Sequence, residues 1–150
     1  MFVELKNVKK SYRSGSQNIV VLRSIDLSVE QGATLALTGE SGSGKSTLLH
    51  LIACLDKPDE GSIILEGQDI TILNDKDLAR IRRTKVGIIF QNFNLVSSLN
   101  VKSNLAFQAK LAGNYDDVLL EYLAKKLDLQ DCLLRFREQI SGGQQQRDAI

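Results

Sequence analysis

Gly39-Glu40-Ser41-Gly42-Ser43-Gly44-Lys45-Ser46-Thr47 decides how the rest of the chain is read. Its spacing is Gly-x4-Gly-Lys-Ser/Thr. It stands between a short apolar run, Ala33 to Thr38, and a run with apolar residues at helical steps, Leu48, Leu49, Ile52 and Leu55. Glycines at 39, 42 and 44 reach backbone torsions closed to other residues, and they let main-chain N–H groups approach an anion with no Cβ in the way. A helix beginning at Lys45 adds unpaired N–H groups and the positive end of its dipole at the same place. Lys45 then offers a point charge to the β and γ phosphates and Ser46 a hydroxyl to Mg²⁺. Gly39, Ser41, Gly42, Ser43, Gly44 and Thr47 are the remaining candidate contacts. Together these residues imply a bound nucleoside triphosphate.

Outward from this loop the pattern is mixed and then mostly helical. Ala33 to Thr38 is short, apolar and bounded by glycines, which predicts a strand buried on both faces. Upstream, Phe2, Val3, Leu5 and Val8, and then the run Ile19 to Val29, predict two half-buried strands joined by a turn at Arg13 to Asn18. Downstream, the helix after the loop stops near Asp56-Lys57-Pro58. Ser62 to Glu66 and Val86 to Phe90 predict further strands around a polar helix, Asn74 to Arg83. From Leu105 to about Leu129 the apolar steps are helical. The expectation is an α/β fold with a β-rich nucleotide-binding core over residues 1–90 and a helical subdomain over 91–150.

Composition bounds the function. The 150 residues are 43% hydrophobic and 25% charged, which suits one globular domain or part of a larger one and excludes disorder as the main state. Nineteen Lys and Arg against 18 Asp and Glu leave a net charge of +1, so no nucleic-acid partner is expected and phosphate chemistry must be local. Cys54 and Cys132 lie far apart and His50 is the sole histidine, which argues against structural zinc and for reduced, packed thiols. Glu4 interrupts the apolar core a signal peptide needs, and no run approaches the ~18 apolar residues of a spanning helix. The expectation is a cytoplasmic chain with no direct membrane insertion, reaching a membrane only through a partner.

A phosphate loop alone leaves GTPases, small-molecule kinases, helicases and transporter ATPases open. The choice comes from Ile140-Ser141-Gly142-Gly143-Gln144-Gln145-Gln146-Arg147. Ser141 with Gln144 forms a capping-box pattern, and the two glycines that follow the serine leave the helix start bare enough for an anion to come close. This motif, together with the phosphate loop, resembles the signature of ATP-binding-cassette (ABC) ATPases. The resemblance covers about residues 2 to 150. Taken alone, Gln91 reads as a solvated residue at a strand end, while Tyr12 is open between an ordinary strand aromatic and a stacking residue, the second favoured. The resemblance assigns Tyr12 to stacking on adenine, and Gln91 to Mg²⁺, the attacking water and the sensing of a membrane partner. It also implies ATP and Mg²⁺ as ligands, and a homodimer in which Ser141, Gly142, Gly143 and Gln144 of one copy cap the γ-phosphate held by the other. Membrane-spanning transporter subunits are the implied partners, placing the chain at the inner face of the cell membrane. Leu55 to Gly61 and Ile88 to Leu95 resemble the branch of lipoprotein-releasing, macrolide-export and cell-division ATPases.

The resemblance further implies a Walker B strand ending in Asp-Glu about twenty residues beyond the signature helix, and then a switch histidine. The 150 residues stop at Ile150, before either. The general base is therefore expected outside them, the edge of Thr34 to Thr38 is expected to be unpaired, and the alternative function is a truncated fragment that binds MgATP without hydrolysis. His50, Glu40, Asp69, Asp75 and Asp77 read as surface, turn or helix-start residues. Three positions depart from the family pattern: Ser103, Arg137 and above all Asp148, which replaces an apolar residue on the signature helix. If Asp148 faces the core, its carboxylate lies unpaired or keeps its proton.

Overall fold

The alternation at Val3 and Leu5 becomes β1 (Val3–Ser14), which pairs antiparallel with β2 (Gln17–Val29) on one side and β3 (Glu60–Leu65) on the other. A two-residue β4 (Gln68–Asp69) completes the order β2-β1-β3-β4. The ladder slips between Leu5 and Val8, so that Val8, and not Asn7, returns to the core face. The computed structural model describes all 150 residues, and they divide into two units, Met1–Gly87 and Ile88–Ile150.

In the first unit the inward faces of β1 and β3 pack Leu5, Val8 and Ile63 with Leu48 and Leu51 from α1 (Lys45–Ile52), and with Leu78 and Ile81 from α2 (Asp75–Lys85). Leu51, Val8 and Ile63 are almost completely enclosed, and each buried aliphatic side chain contributes about 1.5–3 kcal/mol. Asn74 caps α2 by accepting from the Asp77 N–H at 3.0 Å. Gly61 lies so close to β1 that a Cβ there would stand 2.4 Å from the carbonyl oxygens of Lys6 and Asn7.

Two sequence expectations are corrected here. Ala33 to Thr38 and Val86 to Phe90 form no strands, and Leu35 and Ile89 are 48% and 59% exposed. A strand exists through its ladder partner, and apolar composition cannot pair a backbone N–H. The sheet that forms joins its strands by antiparallel pairing, whereas strands buried on both faces require neighbours brought in by crossovers.

In the second unit the helical stretch breaks into α3 (Val101–Ala112) and α4 (Asp117–Lys126), because Gly113 ends α3 in a left-handed conformation (φ 74) and Asp116 caps α4. Val101, Leu129, Cys132 and Ile140 form its core. Both cysteines are buried and free, and burial raises both thiol pKa values. No helix is long and apolar enough to cross a membrane.

Asp148 ends α5 (Gly142–Asp148) inside this unit, 5% exposed, and neither carboxylate oxygen has a hydrogen-bond partner. It also sits at the helix end whose dipole disfavours an anion. The adjacent Arg147 gives no help, since its Nε donates to the Leu127 carbonyl at 2.7 Å and its guanidinium stands 3.8 Å from Asp128. Burial pushes the Asp148 pKa up to about 7. The folded chain thus holds a proton that the unfolded chain has released, so this group's contribution is full at low pH and is lost as pH rises toward 7. The span is about 4 kcal/mol. Asp148→Val is expected to raise the urea unfolding midpoint, with a margin over the parent that widens between pH 4 and pH 7. A margin independent of pH would contradict the assignment.

Candidate functional site

The helix α1 begins on a residue with no side chain to cap it. Gly44 takes φ 91, and no side chain accepts a hydrogen bond from the first-turn N–H groups. The other four α-helices are capped by Asn74, Asn100, Asp116 and Ser141. The N–H groups of Lys45, Ser46 and Thr47 are therefore left over by the geometry of a helix start, and no acidic residue occupies that turn. Gly39 and Gly42, at φ 144 and 81, shape the loop before it. Lys45 folds back over this loop: its Nζ donates to the carbonyls of Gly39 (2.9 Å) and Glu40 (2.6 Å) and to Ser43 Oγ (3.2 Å). It has no carboxylate partner, so its charge is available to a ligand. Ser46 is exposed at the second helical position, where its hydroxyl fits a metal ligand on a bound polyphosphate. No group of three or more His, Cys, Asp and Glu side chains is placed to hold a metal ion unaided.

Tyr12 stands near the end of β1 in the same unit. Its hydroxyl donates to Asp56 Oδ2 at 2.8 Å, and Lys10 lies 5.2 Å from its ring centroid. Its pKa is raised because burial and Asp56 outweigh the opposing Thr47 side chain and Lys10. Burial would raise Asp56 as well, but the hydrogen bonds from Lys10 and Tyr12 hold its carboxyl below the ordinary value. Hydrogen bonds from Ser11 do the same for Asp59. Sequence reasoning missed Lys10, Asp56 and Asp59. Asp56-Lys57-Pro58 read as a helix stop and as part of the branch resemblance, yet α1 already ends at Ile52, and a contact spanning 44 residues leaves no local pattern.

The second unit holds Gln91 and the signature residues. Gln91 is exposed, at the start of a turn in which Phe93 donates to the Phe90 carbonyl at 2.9 Å. Phe93 and Asn94 follow with φ 59 and 51, two consecutive left-handed residues without a glycine. The segment beyond is latched by Asn104, which accepts from the Val96 N–H at 2.9 Å and donates to the carbonyls of Val96, Leu99 and Asn100. Nothing in the sequence marked Asn104 as a latch. The capping box at Ser141 forms as read: Ser141 Oγ accepts from the Gln144 N–H, and Gln144 Oε1 accepts from the Ser141 N–H. Gly142 and Gly143 are exposed at the first two helical positions, where N–H groups have no helical partner.

A family model described as ABC transporter matches residues 22–150. An uncharacterized ABC transporter ATP-binding protein of Bacillus subtilis, YknY, is 40% identical over 151 residues, taking in 99% of this chain and 66% of that protein. The macrolide export ATP-binding/permease protein MacB 2 of Aeromonas hydrophila is 40% identical, with 23% of its length covered. The methionine import ATP-binding protein MetN 3 of Oceanobacillus iheyensis is 39% identical, with 44% covered. The chain thus spans less than two thirds of these relatives. Among solved structures, the dimeric post-hydrolysis state of the ATP-binding cassette MJ0796 bound to ADP and Pi superposes with a TM-score of 0.88 at 36% identity, covering 99% of this chain and 67% of that one.

At Gly44 an added Cβ would stand 2.9 Å from Leu22 Cδ2 and 3.0 Å from Val21 Cγ1, whereas at Gly42 it would meet nothing within 4 Å. Gly44→Ala is expected to lose more stability than Gly42→Ala in urea unfolding, which bears only the left-handed penalty of about 1–2 kcal/mol. Equal losses would show that packing on β2 does not hold the helix start.

Proposed function

The chain belongs to the ABC transporter family, and from that premise we propose that it is the ATP-binding part of a transporter ATPase, coupling MgATP binding and hydrolysis to work by membrane-spanning subunits. The observation that carries the proposal is the uncapped start of α1, where three N–H groups have no side-chain acceptor, beside a Lys45 ammonium held over the same loop with no carboxylate partner. The triphosphate lies along Gly39 to Thr47, with Lys45 on the β and γ phosphates and Ser46 on Mg²⁺. Tyr12 stacks on the adenine ring and Gln91 reaches toward the metal and the attacking water. In a homodimer, Ser141, Gly142, Gly143 and Gln144 of one copy approach the γ-phosphate held by the other. The ADP and Pi of the dimeric cassette MJ0796 support this reading. Bound ATP then favours the dimer and hydrolysis releases it, which gives the cycle its direction. The chain acts at the inner face of the membrane, held there by its partners.

The relatives' names include both a macrolide exporter and a methionine importer. Export or extraction is the branch we favour, on Leu55 to Gly61 and Ile88 to Leu95. A second reading, MgATP binding without turnover by these residues alone, is favoured by the engagement of Asp56 with Lys10 and Tyr12 and of Asp59 with Ser11. That engagement occupies both oxygens of Asp56 and Oδ2 of Asp59 and holds both carboxyls below the ordinary pKa, which makes them weak acceptors of a proton from water.

Lys45→Ala is expected to weaken MgATP binding by about ten- to a hundredfold in calorimetric titration, the value of a charge-assisted hydrogen bond. Phosphate release measured on the same samples separates the two readings: turnover by the parent supports the first, and binding with no release supports the second. Unchanged affinity in the variant would contradict both.

A further inference from the structure

The end of β1 is fastened to the loop that follows α1 by three consecutive residues. Lys10 Nζ donates to Asp56 Oδ1 at 2.9 Å and to the Lys57 carbonyl at 2.6 Å. Ser11 donates twice to Asp59 Oδ2, from its N–H at 2.7 Å and its hydroxyl at 2.8 Å. Tyr12 donates to Asp56 Oδ2 at 2.8 Å. Asp56 also accepts from the Lys57 N–H at 2.7 Å, so its carboxylate is fixed from its own loop as well as from β1.

This geometry treats the two ends of the Tyr12 side chain differently. The Cβ is fixed by the β1 ladder, in which Tyr12 pairs with Ile19, and the hydroxyl is fixed by Asp56. Held at both ends of its long axis, the ring cannot swing away, yet the side chain stays 39% exposed. A tyrosine buried for stability hides its ring, whereas this residue is held through its hydroxyl and stays partly exposed. Here the hydroxyl is engaged, the Lys10 ammonium lies over one face of the ring at 5.2 Å from its centroid, and the residue as a whole stays 39% exposed, which leaves the other face for a base. A stacking surface needs a fixed plane, because a ring that must be ordered at the moment of binding loses affinity to that ordering.

We propose that Asp56, braced by Lys10, is a positioning residue that fixes the Tyr12 ring as the platform for the nucleobase, so that preference for a nucleotide over a bare polyphosphate depends on a carboxylate that touches no part of the ligand. The proposal rests on the reading of Tyr12 as the base contact. It adds a residue and a mechanism: Asp56 acts through the phenol oxygen, and its effect is confined to ligands that carry a base.

The test compares MgATP with magnesium tripolyphosphate, which engages the phosphate loop and lacks a base. Calorimetric titrations of the chain and of its Tyr12→Ala, Tyr12→Phe, Asp56→Asn and combined Tyr12→Phe/Asp56→Asn variants give both affinities. Tyr12→Ala is expected to weaken MgATP about tenfold, the scale of one lost base–aromatic stack, and to leave tripolyphosphate unchanged. Tyr12→Phe removes the phenol donor, and Asp56→Asn, with its oxygen kept on Lys10 and the Lys57 N–H, turns an amide NH2 toward Tyr12 where Oδ2 accepted, so each takes the carboxylate acceptor away from the phenol. Each is expected to weaken MgATP by a smaller and similar factor, about threefold, with the combined variant no weaker than either alone. If Tyr12→Ala weakens MgATP while Tyr12→Phe and Asp56→Asn do not, the platform stands and the positioning role of Asp56 is overturned. If Tyr12→Ala has no effect on MgATP, the base contact fails and the proposal with it. Equal weakening of both ligands by Asp56→Asn would also overturn it, by showing general damage to the loop. Tyr12→Phe leaves Asp56 and its Lys10 contact in place, so it decides the matter even if Asp56→Asn does not fold.

Discussion

The first turn of every helix leaves N–H groups that something must satisfy, and in α1 this chain satisfies them with nothing of its own. Water covers them when no ligand is present, and an anion covers them better, because donors and dipole point the same way. Much else in the first unit follows from that constraint. Gly44 must be glycine to reach its torsion against Val21 and Leu22, and α1 is pinned by Leu48 and Leu51 in the core beneath the sheet. Arg82 of α2 donates to the Cys54 carbonyl at 2.6 Å, tying the far end of α1 to a second helix. The rigidity of the unit serves to hold a few backbone donors still.

The same logic separates what could be read in the sequence from what could not. The first two strands and the capping box at Ser141 are local patterns, and each appears where its residues place it. A helix does follow the glycine loop, but it ends at Ile52, ahead of the expected stop at Asp56-Lys57-Pro58, and Cys54 just beyond it turns left-handed at φ 59. The two apolar runs, Ala33 to Thr38 and Val86 to Phe90, were legible as apolar and wrongly legible as strands, since strand formation depends on a partner that composition does not reveal. The fastening of Tyr12 to Asp56 and the latch made by Asn104 were illegible for a related reason. Both join residues whose types are common in turns and helix ends, and their meaning lies in who faces whom.

Asp148 is where local and global preferences conflict. Its helix carries the signature glycines at one end and an unpaired buried carboxylate at the other. A charge in that position costs several kcal/mol, so the acid stays protonated into the neutral range and the signature helix inherits a pH dependence. The two ends of α5 thus draw on different physics: backbone donors offered to solvent at its start, and burial that opposes its own side chain at its end.

The claim that the start of α1 is the triphosphate site is tested most directly by two-dimensional ¹H–¹⁵N spectroscopy of the chain titrated with magnesium tripolyphosphate. With no base in the ligand, the amides of Gly42, Gly44, Lys45, Ser46 and Thr47 are expected to shift far more than any others in Met1–Gly87, including those of the capped start of α2 at Asp75 to Asp77. Shifts spread over the basic residues of α2, with the α1 amides unmoved, would contradict the account.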